Sequence, residues 1–359
     1  MRDILRKLRL LLYWGLPPVL LYLIFSRIDL GRLIDLASTA DRWLIFIGVA
    51  FIALKIIVGA VRWHYLARRY DCIRMSLRTS IAQYWISLTL GVVIPGSLGS
   101  DAYRIGLGGK QTGRYLRGAF VIGIEKIAAL FACAAFVVLL YPLLDFKTLP
   151  DTVTYVLDAA YGFLLISAVL LLLVAATHRA QWLTTLANRY AQKISALAKR
   201  AGMSPINGHQ PNQVAEGSPL DLLLSAFKPG VALPVLAFSA ALHVAGAIQS
   251  QLFFDALGYD LPFLVNLFVA PLIMLAFTLP ISFGGLGIRE GVFILFYGAF
   301  GVPAETALLV SFCGLSSVLL GHAVGVLLFV AGRRRTRQAG DTEGVLNVNV
   351  EPAHGEGDR

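Results

Sequence analysis

Residues 94–104 read IPGSLGSDAYR and residues 279–289 read LPISFGGLGIR. Aligned without a gap, 185 positions apart, Pro95 falls on Pro280, Ser97 on Ser282, Gly99 on Gly284 and Arg104 on Arg289. In each stretch an apolar run ends at a proline, which removes a backbone donor and stops a helix. Glycines follow: Gly96 and Gly99 in the first stretch, Gly284, Gly285 and Gly287 in the second. They permit a tight turn and a close approach of backbone to a ligand. An arginine then stands where the flanking apolar runs place it at membrane depth. The pattern predicts an internally duplicated membrane protein with two helical hairpin tips, a construction that transporters use for substrate sites.

The rest of the chain fits that frame. Of its 359 residues, 57% are hydrophobic and 14% charged, and the mean hydropathy is +0.72. Soluble domains carry roughly 25% charged residues, so the chain reads as an all-α polytopic membrane protein. The net charge is +10, but the bases concentrate in short loops. That argues for positive-inside bias and anionic lipid, not nucleic acid. Cys72, Cys133 and Cys313 show no metal or redox spacing. The basic N-terminus leads into an apolar stretch with no small-residue cleavage site in 27–35, which predicts a retained anchor.

Continuous apolar runs predict six crossings, at about 9–25, 43–61, 118–141, 156–176, 231–253 and 304–331. Two further pairs of arms flank the opening motifs, 79–95 with 100–116 and 263–279 with 286–300. If both pairs are re-entrant, 23 of the 31 bases fall on the cytoplasmic side and four outside. The other four, Lys55, Arg104, Lys126 and Arg289, lie at membrane depth. The alternative topology puts the basic 177–200 segment and Arg333–Arg335 outside, against the positive-inside rule. The order crossing, crossing, hairpin, crossing then occurs twice with opposite polarity, an inverted-topology repeat. The first half is 1–141 with its hairpin at 79–117, and the second is 142–335 with its hairpin at 262–302. Within the second half, 177–230 reads as a cytoplasmic amphipathic segment and linker. A disordered cytoplasmic tail covers 336–359. Both termini are expected on the cytoplasmic face.

Several residues could carry function. Ser97, Ser100, Asp101 and Ser282 are candidate caps for the return helices. Each return helix would begin near the membrane interior, with free N–H groups and its positive dipole end facing inward. Arg104 and Arg289 follow, and a guanidinium grips phosphate through two parallel hydrogen bonds. Asp101 stands three residues before Arg104 and could pair with it. Glu125 and Lys126 are adjacent in a crossing and point about 100° apart, so each needs another partner. Glu125 could balance Arg104 or Arg289, carry a proton, or make a static ion pair. Glu290 faces the same alternatives. Arg62 and Trp63 read either as an interface anchor or as the point where a lipid headgroup is admitted. His243, Gln249, Gln251, Asn266 and His322 read as interhelical hydrogen-bond glue, and Gly321 with Gly325 as a close-packing GxxxG. No GxxxxGK[ST], HExxH, GxSxG or metal-spaced cluster occurs. An enzyme is not expected, nor any cofactor or metal.

The Arg62-Trp63 pair, IPGSLGSDAYR, the charged pair Glu125-Lys126 and above all PISFGGLGIRE at 280–290 resemble the flippase-like transmembrane domain of the lysylphosphatidylglycerol synthase family. The resemblance extends over about 5–335. It implies a bacterial inner-membrane protein that moves a lipid with an aminoacylated headgroup. The chain ends soon after its last crossing, so the cytosolic aminoacyl-transfer domain is expected to be missing. Glu125-Lys126 stands where that family has Asp-Arg. The expected ligand is an anionic phospholipid, an aminoacylated lipid or a polyprenyl-phosphate glycolipid. It would sit between the two tips on Arg104, Arg289, Ser97, Ser282, Asp101, Glu125, Lys126, Glu290 and Arg62. The alternatives are a non-transporting accessory of a lipid synthase or glycosyltransferase, and a small-solute secondary transporter.

Overall fold

The computed structural model describes residues 18–26, 28–91, 98–144, 155, 158, 161–162, 165–166, 222, 225–277 and 287–338, with backbone only for 275–277 and 333–338. Every regular element among these residues is a helix. The α-helices are α1 (Leu30–Thr39), α2 (Arg42–Ala50), α3 (Ile52–Arg69), α4 (Leu77–Gly91), α5 (Leu98–Thr112), α6 (Tyr115–Leu140), α7 (Pro229–Ala256), α8 (Phe263–Phe277), α9 (Ile288–Gly298) and α10 (Ala304–Gln338). A 3₁₀ turn at Tyr141–Leu143 extends α6.

Four stretches are long and apolar enough to cross a bilayer: Arg42–Arg69, Tyr115–Leu143, Pro229–Ala256 and Ala304–Gly332. At 1.5 Å per residue each is about 42 Å long, against a hydrocarbon core of about 30 Å. They coincide with four of the six expected crossings. Of the other two, 18–25 of the first is helical, and the run at 156–176 lies almost wholly outside the described residues. The amphipathic segment at 179–200 and the linker at 201–219 also lie outside them. Helix α10 continues to Gln338, three residues into the expected tail.

Helix α1 was not expected, since 27–42 reads as an outer loop. Aspartates start it and the helix after it. The Asp29 carboxylate accepts from Arg32 N–H at 3.1 Å, and Asp41 accepts from the N–H groups of Trp43 and Leu44 at the start of α2. None of its residues is buried.

Contacts between helix ends fix the polarity of the bundle. At one end, which we term the basic end, Arg114 is paired with Asp71, and Arg74 N–H donates to Gln111 at 3.0 Å. The start of α4 and the end of α5 therefore lie at the same face. Tyr65 and Tyr70, near the end of α3, hydrogen-bond Gly230 and Ser225 beside the start of α7. At the opposite end, Asp41 N–H donates to Ala256 C=O at 2.7 Å, and Tyr259 OH donates to Gly301 C=O at 3.2 Å. The start of α8 and the end of α9 thus share that face. The α4/α5 pair opens at the basic end and the α8/α9 pair at the other. Their arms, at 77–91 with 98–112 and 263–277 with 288–298, agree with the expected hairpin arms to within a few residues.

Packing is reciprocal. Helix α4 lies against α5, α3 and α10, while α8 lies against α9, α7 and α6. Each hairpin has its own apolar core. Trp63, Leu66, Met75, Leu107 and Val121 gather around the first. Phe253, Phe254, Phe268, Phe293 and Tyr297 gather around the second. Helices in lipid gain little from hydrophobic burial, so close approach through small residues and interhelical hydrogen bonds must hold them. The expected GxxxG acts this way. A Cβ on Gly325 would collide with Thr89, Trp85 Nε1 donates to Gly321 C=O at 2.7 Å, and Thr89 Oγ1 donates to His322 C=O at 3.3 Å. On the outer surface Leu139 and Leu327 stand 67% and 69% exposed, which fits a lipid-facing wall.

Candidate functional site

A run of charged side chains crosses the interior near the first hairpin. Lys126 Nζ lies 2.8 Å from Asp101 Oδ2. Asp101 Oδ1 accepts from Arg104 Nη2 at 2.8 Å. Arg104 Nη1 donates to Glu125 Oε2 at 2.6 Å. Glu125 Oε1 accepts from Arg62 Nε at 3.3 Å, and Arg62 Nη1 donates to Ser239 Oγ at 3.0 Å. Cation and anion alternate along this ladder, and both outermost charges are cations. Among the described residues, three cations face two carboxylates along it.

Four helices deliver these groups to one level. Arg62 is about 10 Å from the end of α3, Arg104 about 12 Å from the end of α5, and Glu125 and Ser239 about 15 Å from the starts of α6 and α7. All four of those helix ends belong to the basic end. Arg62, Asp101, Arg104 and Glu125 are all buried. Lys126 alone is open, its side chain 50% exposed, because the 100° step from Glu125 turns it out of the bundle. The Arg104 guanidinium lies 4.9 Å from the Tyr84 ring centroid and 5.9 Å from that of Trp63. These faces stabilise a cation with little water around it. Arg104 Nε is buried with no hydrogen-bond partner.

A second constellation occupies the other hairpin. Gly287 precedes α9 at φ 79°, a backbone that favours glycine. Its N–H donates to Glu290 Oε2 at 2.6 Å, so Glu290 caps the helix. Arg289 Nε donates to Glu290 Oε1 at 3.1 Å and to Ser311 Oγ at 3.1 Å. Arg289 and Glu290 are both buried. Among the described residues, one cation faces one carboxylate here. The same 185-residue offset that aligns the arginines puts Ser311 on Lys126 and Val310 on Glu125, so the second half has no carboxylate at the position of Glu125.

The expected site residues fall into two groups. Arg104, Asp101, Glu125, Lys126 and Arg62 come together. Arg289 and Glu290 form a separate network that shares no residue with the first. Arg62 and Trp63 are 6% and 2% exposed, so they are not an interface anchor; α3 turns Arg62 toward Glu125 on α6 and Ser239 on α7, and Trp63 toward Tyr84 on α4 and Arg104 on α5. Ser100 lies inside α5 and hydrogen-bonds Ser87 on the other arm at 3.1 Å, since the helix already begins at Leu98. Gly99 is buried at its second position. Pro95, Gly96, Ser97, Pro280, Ser282, Gly284 and Gly285 lie outside the described residues. Ser239, Ser311, Tyr84 and the aromatic role of Trp63 were not foreseen. Each is an ordinary residue in an apolar run, given meaning only by the arginine packed against it.

Four of the expected glue residues, His243, Gln249, Gln251 and Asn266, join helices through side-chain hydrogen bonds. Asn266 Nδ2 donates to Gln251 Oε1 at 2.7 Å and Asn266 Oδ1 accepts from Tyr297 OH at 2.8 Å. His243 Nε2 lies 3.2 Å from Ala129 C=O.

Long apolar helices around a buried ladder of charge define a multi-pass membrane protein with a polar interior. The family model described as the lysylphosphatidylglycerol synthase TM region matches residues 8–317, and the chain belongs to that family. Neither among curated proteins nor among solved structures does anything match it.

Proposed function

We propose that the protein is a translocase for a lipid with an anionic, phosphate-bearing headgroup, and that the ladder beside the first hairpin is its binding site. One observation carries this reading: Arg104, buried at membrane depth between Asp101 and Glu125, keeps its Nε without a hydrogen-bond partner. A buried donor left unmet costs about 1–3 kcal/mol, so an anion that reaches Arg104 Nε completes the site. A phosphate can take the unused Arg104 Nε, and the exposed Lys126 marks the side by which it enters. Arginine suits this role because its fork binds phosphate at two points.

The two hairpins serve as the moving parts of an inverted-topology repeat. Their opening at opposite ends of the bundle and the reciprocal packing of α4 on α10 and α8 on α6 support this. Rocking of one half against the other would expose the ladder alternately, while acyl or polyprenyl tails stay in lipid. The basic end is read as cytoplasmic in a bacterial inner membrane, with both termini on that side. Arg68, Arg69, Arg74, Lys110, Arg114 and Arg117 cluster there, whereas Asp29, Asp41, Asp255, Asp260 and Glu305 mark the other end. No covalent step is assigned to the protein.

The test is transbilayer movement of a fluorescent phosphatidylglycerol in proteoliposomes, followed by dithionite quenching. Wild-type protein should accelerate it, and Arg104→Ala should lower the rate by at least tenfold. Equal rates with both proteins would refute the ladder as the site. Flux of a soluble anion without lipid movement would make the protein a solute transporter. Absence of both, with co-purification of a lipid synthase or glycosyltransferase, would make it an accessory subunit.

A further inference from the structure

The ladder ends at Arg62, yet polar chemistry continues along the same helix face. Lys55 lies seven residues earlier on α3, two turns away and only about 20° off in direction. It is near the midpoint of the Arg42–Arg69 span. Its ammonium donates to Gln249 Oε1 at 2.9 Å. Among the described residues no carboxylate pairs with it, in contrast to Arg62, Arg104, Lys126 and Arg289. Gln249 is held in place from its other end, where Nε2 donates to Gly48 C=O at 2.7 Å and to Ser317 Oγ at 3.1 Å. A neutral amide oxygen is a weak substitute for a counter-ion, and a cation so placed stays costly until an anion joins it.

A second group stands at the same level. Lys55 and His243 are each 14 residues from the basic ends of α3 and α7, about 21 Å along the axis, and these two helices pack together. His243 is 2% exposed. The charges of both Arg62 and Lys55 act on its ring. Its Nε2 faces Ala129 C=O, which can only accept, so Nε2 carries the hydrogen and Nδ1 is left as an acceptor. Nδ1 is buried and has no partner. A polar atom buried this way costs about 1–3 kcal/mol unless something meets it.

We infer that Lys55 and His243 form a second headgroup station at mid-bundle, which receives the lipid after the ladder. Lys55 takes a phosphoryl oxygen. His243 Nδ1 accepts a hydroxyl or ammonium hydrogen from the same headgroup. The station therefore selects phospholipids whose headgroup carries such a donor, a glycerol or an amine, over bare phosphatidate. The inference rests on the lipid-translocation reading and deepens it.

Binding and flux separate the two. Purified protein in detergent is titrated calorimetrically with a short-chain phosphatidylglycerol, using wild type, Arg104→Ala, Lys55→Gln, Lys55→Arg and the Arg104→Ala/Lys55→Gln double variant. All are first checked for native helicity and monodispersity. Arg104→Ala should keep a residual binding event that Lys55→Gln abolishes in the double variant. In proteoliposomes Lys55→Gln should bind lipid within threefold of wild type yet flip it at least tenfold more slowly, with Lys55→Arg restoring most of the rate. Short-chain phosphatidate should bind the Arg104→Ala protein at least fivefold more weakly than phosphatidylglycerol. Residual binding indifferent to Lys55, its absence in Arg104→Ala, or wild-type flux in Lys55→Gln would each overturn the station while leaving the ladder intact. Displacement of the residual lipid by millimolar inorganic phosphate would overturn the lipid assignment in favour of a free anion. If wild type moves no lipid, the translocase reading fails, and the binding arm alone decides whether Lys55 and His243 hold a headgroup.

Discussion

Glu125 is the pivot of the ladder, because its two oxygens hold two arginines from two other helices. Consider the cycle of Glu125→Gln, Arg104→Gln and the double variant. The Arg104–Glu125 contact is 2.6 Å with both side chains over 90% buried. At an effective dielectric of about 20 its gross Coulomb attraction is about 6 kcal/mol. Desolvation offsets much of this, and removing one partner of a buried pair typically costs about 3–5 kcal/mol. Glu125→Gln leaves Arg104 with Asp101 at 2.8 Å, but leaves Arg62 with only the Ser239 hydroxyl, so its cost should fall at the upper part of that range. Arg104→Gln leaves Glu125 paired with Arg62 and should cost less. The double variant removes both members of the contact, so it should fall short of the sum by about 1–3 kcal/mol. Reversible unfolding in mixed detergent and dodecyl sulfate, followed by far-UV circular dichroism, measures all four proteins. A coupling energy within about 0.5 kcal/mol of zero would refute the ladder as an energetic unit. The same Glu125→Gln protein carries an uncompensated buried positive charge. It should hold phosphatidylglycerol more tightly and release it more slowly.

Gly325→Val should bring a methyl group against Thr89 where α10 meets α4, lowering stability by about 1–3 kcal/mol; Gly332→Val, where a Cβ meets nothing within 4 Å, is the control, and equal unfolding midpoints would contradict the packing. The Cys72 thiol is 2% exposed and burial pushes it up to about 12. It therefore stays a protonated thiol through pH 7–9, and it should resist maleimide there, labelling only after dodecyl sulfate unfolding; rapid labelling of the folded protein at pH 8 would contradict the burial. In a background lacking Cys72, Cys133 and Cys313, membrane-impermeant maleimide applied to intact cells should label Asp260→Cys but not Lys110→Cys, because the two hairpins open at opposite ends. Labelling of both, or of Lys110→Cys alone, would contradict the orientation.

Much of this was legible in the chain because bilayers impose a length rule. Every crossing must satisfy its backbone internally over about 30 Å, so Arg42–Arg69, Tyr115–Leu143, Pro229–Ala256 and Ala304–Gly332 stand out as long apolar runs. The hairpin arms were legible for the opposite reason, since proline and glycine interrupt runs too short to cross twice. Gly321 and Gly325 were legible as packing residues because small side chains at four-residue spacing have few other uses in lipid. Helix α1 was not, because its polar surface gives no apolar run, and its cap at Asp29 looks like an ordinary loop aspartate.

The site divides the same way. The sequence by itself determined that charge would be found at membrane depth: Lys55, Arg104, Lys126 and Arg289 interrupt stretches otherwise fit for lipid. It also determined that Glu125 and Lys126 could not serve each other, since adjacent helical residues diverge by about 100°. Only the tertiary structure decided the partners. Arg62 and Glu125 are 63 positions apart and Arg62 and Ser239 are 177 apart, and nothing local distinguishes an arginine that snorkels to an interface from one turned into the bundle. The aligned arginines suggested one shared site between the tips. Packing gave Arg104 a second carboxylate on α6 and gave Arg289 a hydroxyl on α10. Sequence sets which groups are costly in lipid; the arrangement of neighbouring helices sets which of them meet, because a buried charge is stabilised only by groups within a few ångströms, whatever their distance along the chain.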